Sequence, residues 1–140
     1  MKRFSSLLAI FVLLACTAAL SREKSRQIMP RLVADARFVY VTTYDGPSWS
    51  SNVLPEDRQA VSDVQDALTK WGKYTVVYEP GRADLILVVQ RRGSEDLLAV
   101  YQGRSANPLW RGMAQGGLDS QEMPLFTDFR QAVEQAAARK

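Results

Sequence analysis

The chain has 140 residues, 46 % hydrophobic and 24 % charged, which is too apolar for a disordered chain and long enough for one domain with its own core. It contains no histidine and one cysteine, Cys16, so a histidine-bearing catalytic triad, a zinc cluster and a disulfide framework are excluded. Setting aside Lys2 and Arg3 as part of a leader leaves 16 of the 18 basic residues against 15 acidic ones, a balance that gives no reason to expect a nucleic-acid partner.

Lys2 and Arg3 precede an apolar run, Leu7–Leu14, and the small residues Ala15, Ala18 and Ala19, which is the layout of a secretory signal. The run is shorter than the roughly 20 residues a bilayer-spanning helix needs. Leu13-Leu14-Ala15-Cys16 resembles the lipobox of bacterial lipoproteins, and the resemblance implies lipidation of Cys16, with Thr17 favouring the outer membrane. Leu14 is bulkier than the small residue usual at its place, so cleavage after Ala19 or Ser21 is the alternative. Either route predicts export: residues 1–21 are a secretory or lipoprotein signal peptide, 22–35 a tether, and 36–140 a single domain in the periplasm or at the outer membrane. A lipid on Cys16 would supply the membrane contact.

Ala36–Tyr44 is rich in aromatic and β-branched residues and reads as the first strand. Asp45–Val53 is a loop, because Asp-Gly-Pro starts a turn and the serines compete for backbone hydrogen bonds. Trp49 is its odd member, either a binding anchor or, more simply, a lid folded over the sheet edge. Pro55–Trp71 is an amphipathic helix with Val61, Val64, Leu68 and Trp71 on one stripe and Asp57, Asp63 and Asp66 on the wet side; Gly72 ends it. Tyr74–Tyr78 is the second strand. Ala83–Arg92 is the third, and its aliphatic run Leu85–Val89 asks for burial on both faces and for the centre of the sheet. A turn at Gly93–Asp96 leads to a strand at Leu97–Tyr101, and Leu109–Ala114 makes an edge strand in which Gly112 suggests a bulge. Gln115–Glu122 reads as too polar and glycine-rich for the core, and Pro124–Arg139 as a second helix with Phe126 and Phe129 packed inward. The resulting fold class is α+β, an α/β two-layer domain with a mixed sheet of about five strands, element order β-α-β-β-β-β-α, and the helices on one face.

Acidic pairs at Glu56-Asp57, Asp63/Asp66 and Glu95-Asp96 have simpler uses in capping, solubility and turns than in catalysis or metal binding. Arg91, Arg92, Arg104, Arg111 and Arg130 would bind an anion if they converged, and Trp49, Trp71 and Trp110 would line a pocket if they did. Separate surface charges and core packing are the simpler accounts of both sets. No catalytic residue, cofactor or metal ligand is expected, and Trp49, Arg91 and Arg111 are the candidates for an interaction surface.

The segments LPEDRQAV (54–61), KWGKY (70–74), ADLILVV (83–89) and LWRG (109–112) resemble small bacterial exported proteins and lipoproteins of uncharacterised type, including some from soil bacteria, across Ala36–Ala138. The resemblance implies an exported fold and carries no activity with it. The function expected is that of a cell-envelope domain without catalysis, serving as a protein-interaction or structural module whose partner is an envelope protein. The alternatives are a periplasmic binding domain for a small anionic or aromatic ligand and an enzyme of unrecognised type.

Overall fold

The computed structural model describes residues 27–119 and 121–139, so the leader and Cys16 lie outside the described residues. Within them the chain forms a short helix α1 (Arg31–Asp35), β1 (Phe38–Thr42), α2 (Pro55–Trp71), β2 (Thr75–Val76), a 3₁₀ turn (Pro80–Arg82), β3 (Leu85–Arg91), β4 (Asp96–Gln102), β5 (Trp110–Ala114) and α3 (Pro124–Ala138). The five strands make one mixed sheet in the order β2-β1-β3-β4-β5. β1 runs parallel to both β2 and β3, while β3, β4 and β5 are antiparallel neighbours. The aliphatic run Leu85–Val89 therefore occupies the middle strand, as its composition predicts.

Both long helices lie on one face. Ala60, Val61, Val64 and Leu68 of α2, spaced three and four apart, are buried, and so are Leu125, Phe129, Val133 and Ala136 of α3. They close over Val39, Val41, Leu85, Leu87, Val89, Leu98 and Val100 to form one core. Pro55 fits the first turn of α2, where no backbone donor is needed, and Gly72 ends the helix in the left-handed conformation (φ 74°). Trp71 meets Tyr74, Phe126 and Phe129 edge to face with ring centres 5.5–6.1 Å apart, which ties the end of α2 to α3.

Several expectations need correction. Part of the stretch expected as tether belongs to the domain: Met29 and Val33 are buried in the core, the Tyr74 hydroxyl donates to the Val33 carbonyl (2.7 Å), and the Arg139 guanidinium donates to the Met29 carbonyl (2.6 Å). Two apolar side chains among many charges leave no period to read, although they suffice to dock α1 on α3. Gly112 marks no bulge, since β4 and β5 pair without a break from Asp96↔Ala114 to Val100↔Trp110. A Cβ there would stand 2.8 Å from the Trp110 ring and 3.0 Å from Leu125, so the glycine makes room for α3. The segment after β5 also reaches the core, with Leu118 buried and Gly117 against Leu125.

Candidate functional site

Side chains alternate along a strand, and residues paired across a sheet share a face. The register places Tyr40 beside Ile86, Ile86 beside Tyr101, Val88 beside Ala99, Ala99 beside Arg111, and Leu97 beside Met113, all on the face away from α2 and α3. None of them belongs to the core under the helices. Among the described residues, no helix lies over this second face. Its flanks are open, Phe38 and Met113 each being 41 % exposed, while Tyr40, Val88, Leu97 and Ala99 between them are buried. Ala99 is flanked across the strands by Val88 and Arg111 and along its own strand by Leu97 and Tyr101.

Arg111 is the one charged strand residue on this face. Its guanidinium meets the Met113 sulfur (3.1 Å), and its backbone N–H donates to the Gln27 side chain (3.0 Å) at the outer edge of β5. The hydroxyls of Tyr44 and Tyr101 are 2.7 Å apart, so the loop after β1 is stitched to the same face. Burial, reinforced by the Tyr44 hydroxyl and opposed by Arg111, pushes the Tyr101 phenol up to about 12.

That loop is rigidly built. The hydroxyls of Thr42 and Thr43 both donate to the Gly46 carbonyl, whose residue holds φ 114°, a value that favours glycine. The Arg58 guanidinium donates to the carbonyls of Ser50 and Val53, and Val53 is buried beneath. Trp49 projects from this frame 68 % exposed, so it is no lid over the sheet edge. The lid expectation fails because Val53 is the residue that anchors the loop to the domain.

Arg91 lies elsewhere, at the carboxyl ends of β1 and β3, in an open cleft of about 560 Å³ lined by Leu54, Glu56, Arg91, Arg92, Asp96 and Asp119. The charges there pair with one another: Arg91 with Asp119 (2.7 Å), and Arg92 with Asp45 (3.3 Å) and Asp57 (3.8 Å). Asp57, expected on the wet side of its helix, is 0 % exposed, and its Oδ1 accepts the Arg91 backbone N–H (2.7 Å). Its Oδ2 has no hydrogen bond and faces Arg92. Asp96, expected in a turn, is buried at the start of β4 and accepts the Leu118 N–H (2.9 Å). Both carboxylates were missed because nothing in the sequence marks which backbone donors a fold leaves unpaired; only their nearness to a helix start and a strand start hints at it.

The five arginines do not converge. Arg130 pairs with Glu134 and lies over the Trp71 ring, Arg104 is exposed in the β4–β5 turn, and the other three divide between the cleft and the open face. Nor do the tryptophans: Trp71 and Trp110 pack against Phe129, and Trp49 stands apart on its loop. Among the described residues, no group of three or more acidic or cysteine side chains is placed to hold a metal ion, and no helix is long and apolar enough to cross a membrane. Compared with family models, with curated proteins and with solved structures, the chain gives no match.

Proposed function

We propose that this chain is an exported cell-envelope domain that works by binding a partner protein, without chemistry of its own, and that the second face of its sheet is the docking surface. The observation that carries this reading is the apolar face formed by β1, β3, β4 and β5, which no described helix covers. The area a partner would remove from water is that of the exposed flanks, Phe38 and Met113, and apolar area so removed contributes about 25 cal/mol per Å². The exposed Trp49 stands on the loop that follows β1, already ordered by Arg58, and would serve as an aromatic anchor at little entropic cost.

The cleft favours the second reading, a small-ligand site, by its position at the carboxyl ends of parallel strands. Against that, the guanidiniums of Arg91 and Arg92 already have carboxylate partners. Export is read from the leader, with lipidation of Cys16 or cleavage after Ala19 or Ser21 as its two forms, in keeping with the resemblance to small exported bacterial proteins.

The test has two parts. Phe38→Glu and Met113→Glu, at exposed positions, are expected to leave the melting temperature within a few degrees while the protein shifts from a larger complex to a free monomer on sedimentation of envelope extracts. An unchanged complex refutes the docking face. Fractionation of cells carrying the wild type and Cys16→Ser reports export and anchoring, with wild type in the membrane fraction and the variant released if the cysteine is lipidated. Protein that stays in the cytoplasm in both refutes export.

A further inference from the structure

The middle strands carry apolar residues on both faces, and α2 and α3 cover one of them. We infer that, before the leader is removed, the second face is covered by the chain's own uncharged stretch, residues 4–21, and that removal of its apolar run Leu7–Leu14 frees this face for the partner. The inference rests on the docking face proposed above and adds what keeps that face closed until the chain is processed.

Strands that run on as unbroken apolar sequence belong to sheets packed on both sides, whereas a face left to water alternates with polar residues. β3 turns Leu85, Leu87 and Val89 to the helices and Ile86 and Val88 to the other side; β4 turns Leu98 and Val100 to the helices and Leu97, Ala99 and Tyr101 to the other side. Burial follows the same logic. Along the middle of the second face Tyr40, Val88 and Leu97 are 6–7 % exposed, against 41 % for Phe38 and Met113 at its borders. A cover laid lengthwise over β3 and β4 produces that profile, a dry centre with wet flanks. Among the described residues, Tyr44 reaches in from the loop side to the Tyr101 hydroxyl, and no helix lies over the rest.

The start of the described chain points to the occupant. The Gln27 side chain accepts the Arg111 backbone N–H (3.0 Å) at the outer edge of β5, so the residues before it leave from the rim of this face. The six residues from Ser21 to Gln27 reach up to about 20 Å, and the line between β3 and β4 lies about 7 Å from β5. β3 and β4, seven residues each, are about 23 Å long, and residues 4–21 measure about 27 Å if helical. Charge agrees with length. Residues 4–21 carry none, and Arg111, the one charged strand residue of the face, is exposed on the edge strand, where it keeps its water beneath a cover centred on β3 and β4. Lipoprotein processing at Cys16 and cleavage after Ala19 or Ser21 both remove Leu7–Leu14. The middle of the face then joins Phe38 and Met113 as area that a partner can bury.

The test uses the full chain made by cell-free synthesis without membranes, so that the leader stays on, with a photo-crosslinking amino acid at Met113, at Phe38 or, as a control, at the exposed Tyr78. An equal mixture of isotopically heavy and light chains separates contacts within one chain from contacts between copies. The expected adducts from Met113 and Phe38 join the probe to residues 4–21 of the same chain, Tyr78 gives none, and the double substitution Ile10→Asp, Leu13→Asp lowers the yield at least tenfold. Mixed heavy-light adducts, leader adducts of equal yield from Tyr78, a yield indifferent to the double substitution, or no leader adduct from either position each overturn the inference. The docking face is read separately, from the processed chain in the envelope, where the same probes should join a second protein. Partner adducts there without leader adducts in the full chain overturn this inference and leave the docking face standing. Leader adducts without partner adducts uphold the cover and sink the docking face.

Discussion

Asp57 joins the first turn of α2 to the end of β3 by accepting the Arg91 N–H, and it does so from full burial. Asp57→Ala leaves that donor without a partner and removes the inner counter-charge of Arg92, so urea unfolding should show a loss of about 1–3 kcal/mol. Asp57→Asn keeps an acceptor for the N–H and should cost less; equal losses would show that charge rather than the hydrogen bond matters. Asp84 works similarly at the opposite end of the sheet. Its Oδ2 accepts the backbone N–H groups of both Phe38 and Arg37 (2.9 Å each), which holds the carboxyl below its ordinary value. The stabilisation is therefore complete above the ordinary carboxylate range and is lost as the pH falls through the depressed value. Asp84→Asn should flatten the acid limb of the stability curve, and a limb unchanged by the substitution would contradict this assignment. Tyr101 has the opposite sign: its phenol is pushed up, so its contribution is complete below about pH 10 and declines as the pH climbs towards about 12. Phenolate absorbance should show two tyrosines titrating late, Tyr101 and the buried Tyr74, and Tyr44→Phe should bring only the Tyr101 step earlier.

The strands and long helices were readable because their patterns are local. Leu85–Val89 has no polar residue to turn outwards, and α2 carries its stripe at steps of three and four, so the middle strand and the helix both fall where periodicity puts them. What escaped was set by packing between segments distant in sequence. Gly117 sits where a Cβ would come 2.5 Å from Leu125, a constraint that exists only once α3 has docked. Gly117→Ala should thus destabilise the fold by about 1–3 kcal/mol, the range of an overpacked core, although the segment reads as a polar loop. A thermal melt identical to that of the wild type would contradict this contact. α1 was hidden in the same way, since Met29 and Val33 find their places only against α3 and Tyr74. Val33→Asp, which puts an unpaired charge into that contact, should unfold the domain or lower its melting temperature strongly, whereas a true tether would not respond.

At the scale of the molecule, one sheet separates two environments. The helix side is a closed core; the other side is apolar, edged by Phe38 and Met113, and bounded by the loop that displays Trp49. Of the three residues named from sequence as an interaction surface, Arg111 lies on this face, Trp49 stands exposed on the neighbouring loop, and Arg91 is paired to Asp119 in the cleft. Sequence alone could pick out an arginine in an edge strand and a tryptophan among serines. It could not tell which face of β5 the helices would take, because α3 is positioned by Gly112 and Gly117 rather than by any pattern within the strand.

The most direct measurement is hydroxyl-radical footprinting of Met113, Phe38 and Tyr78, made once on the protein in its native envelope and once after purification. All three side chains are exposed in the chain by itself, and Tyr78 lies outside the proposed contact. A partner on the open face predicts that Met113 and Phe38 become several-fold less reactive in the envelope while Tyr78 stays as it was. Equal reactivity of Met113 and Phe38 in the two preparations would contradict the account.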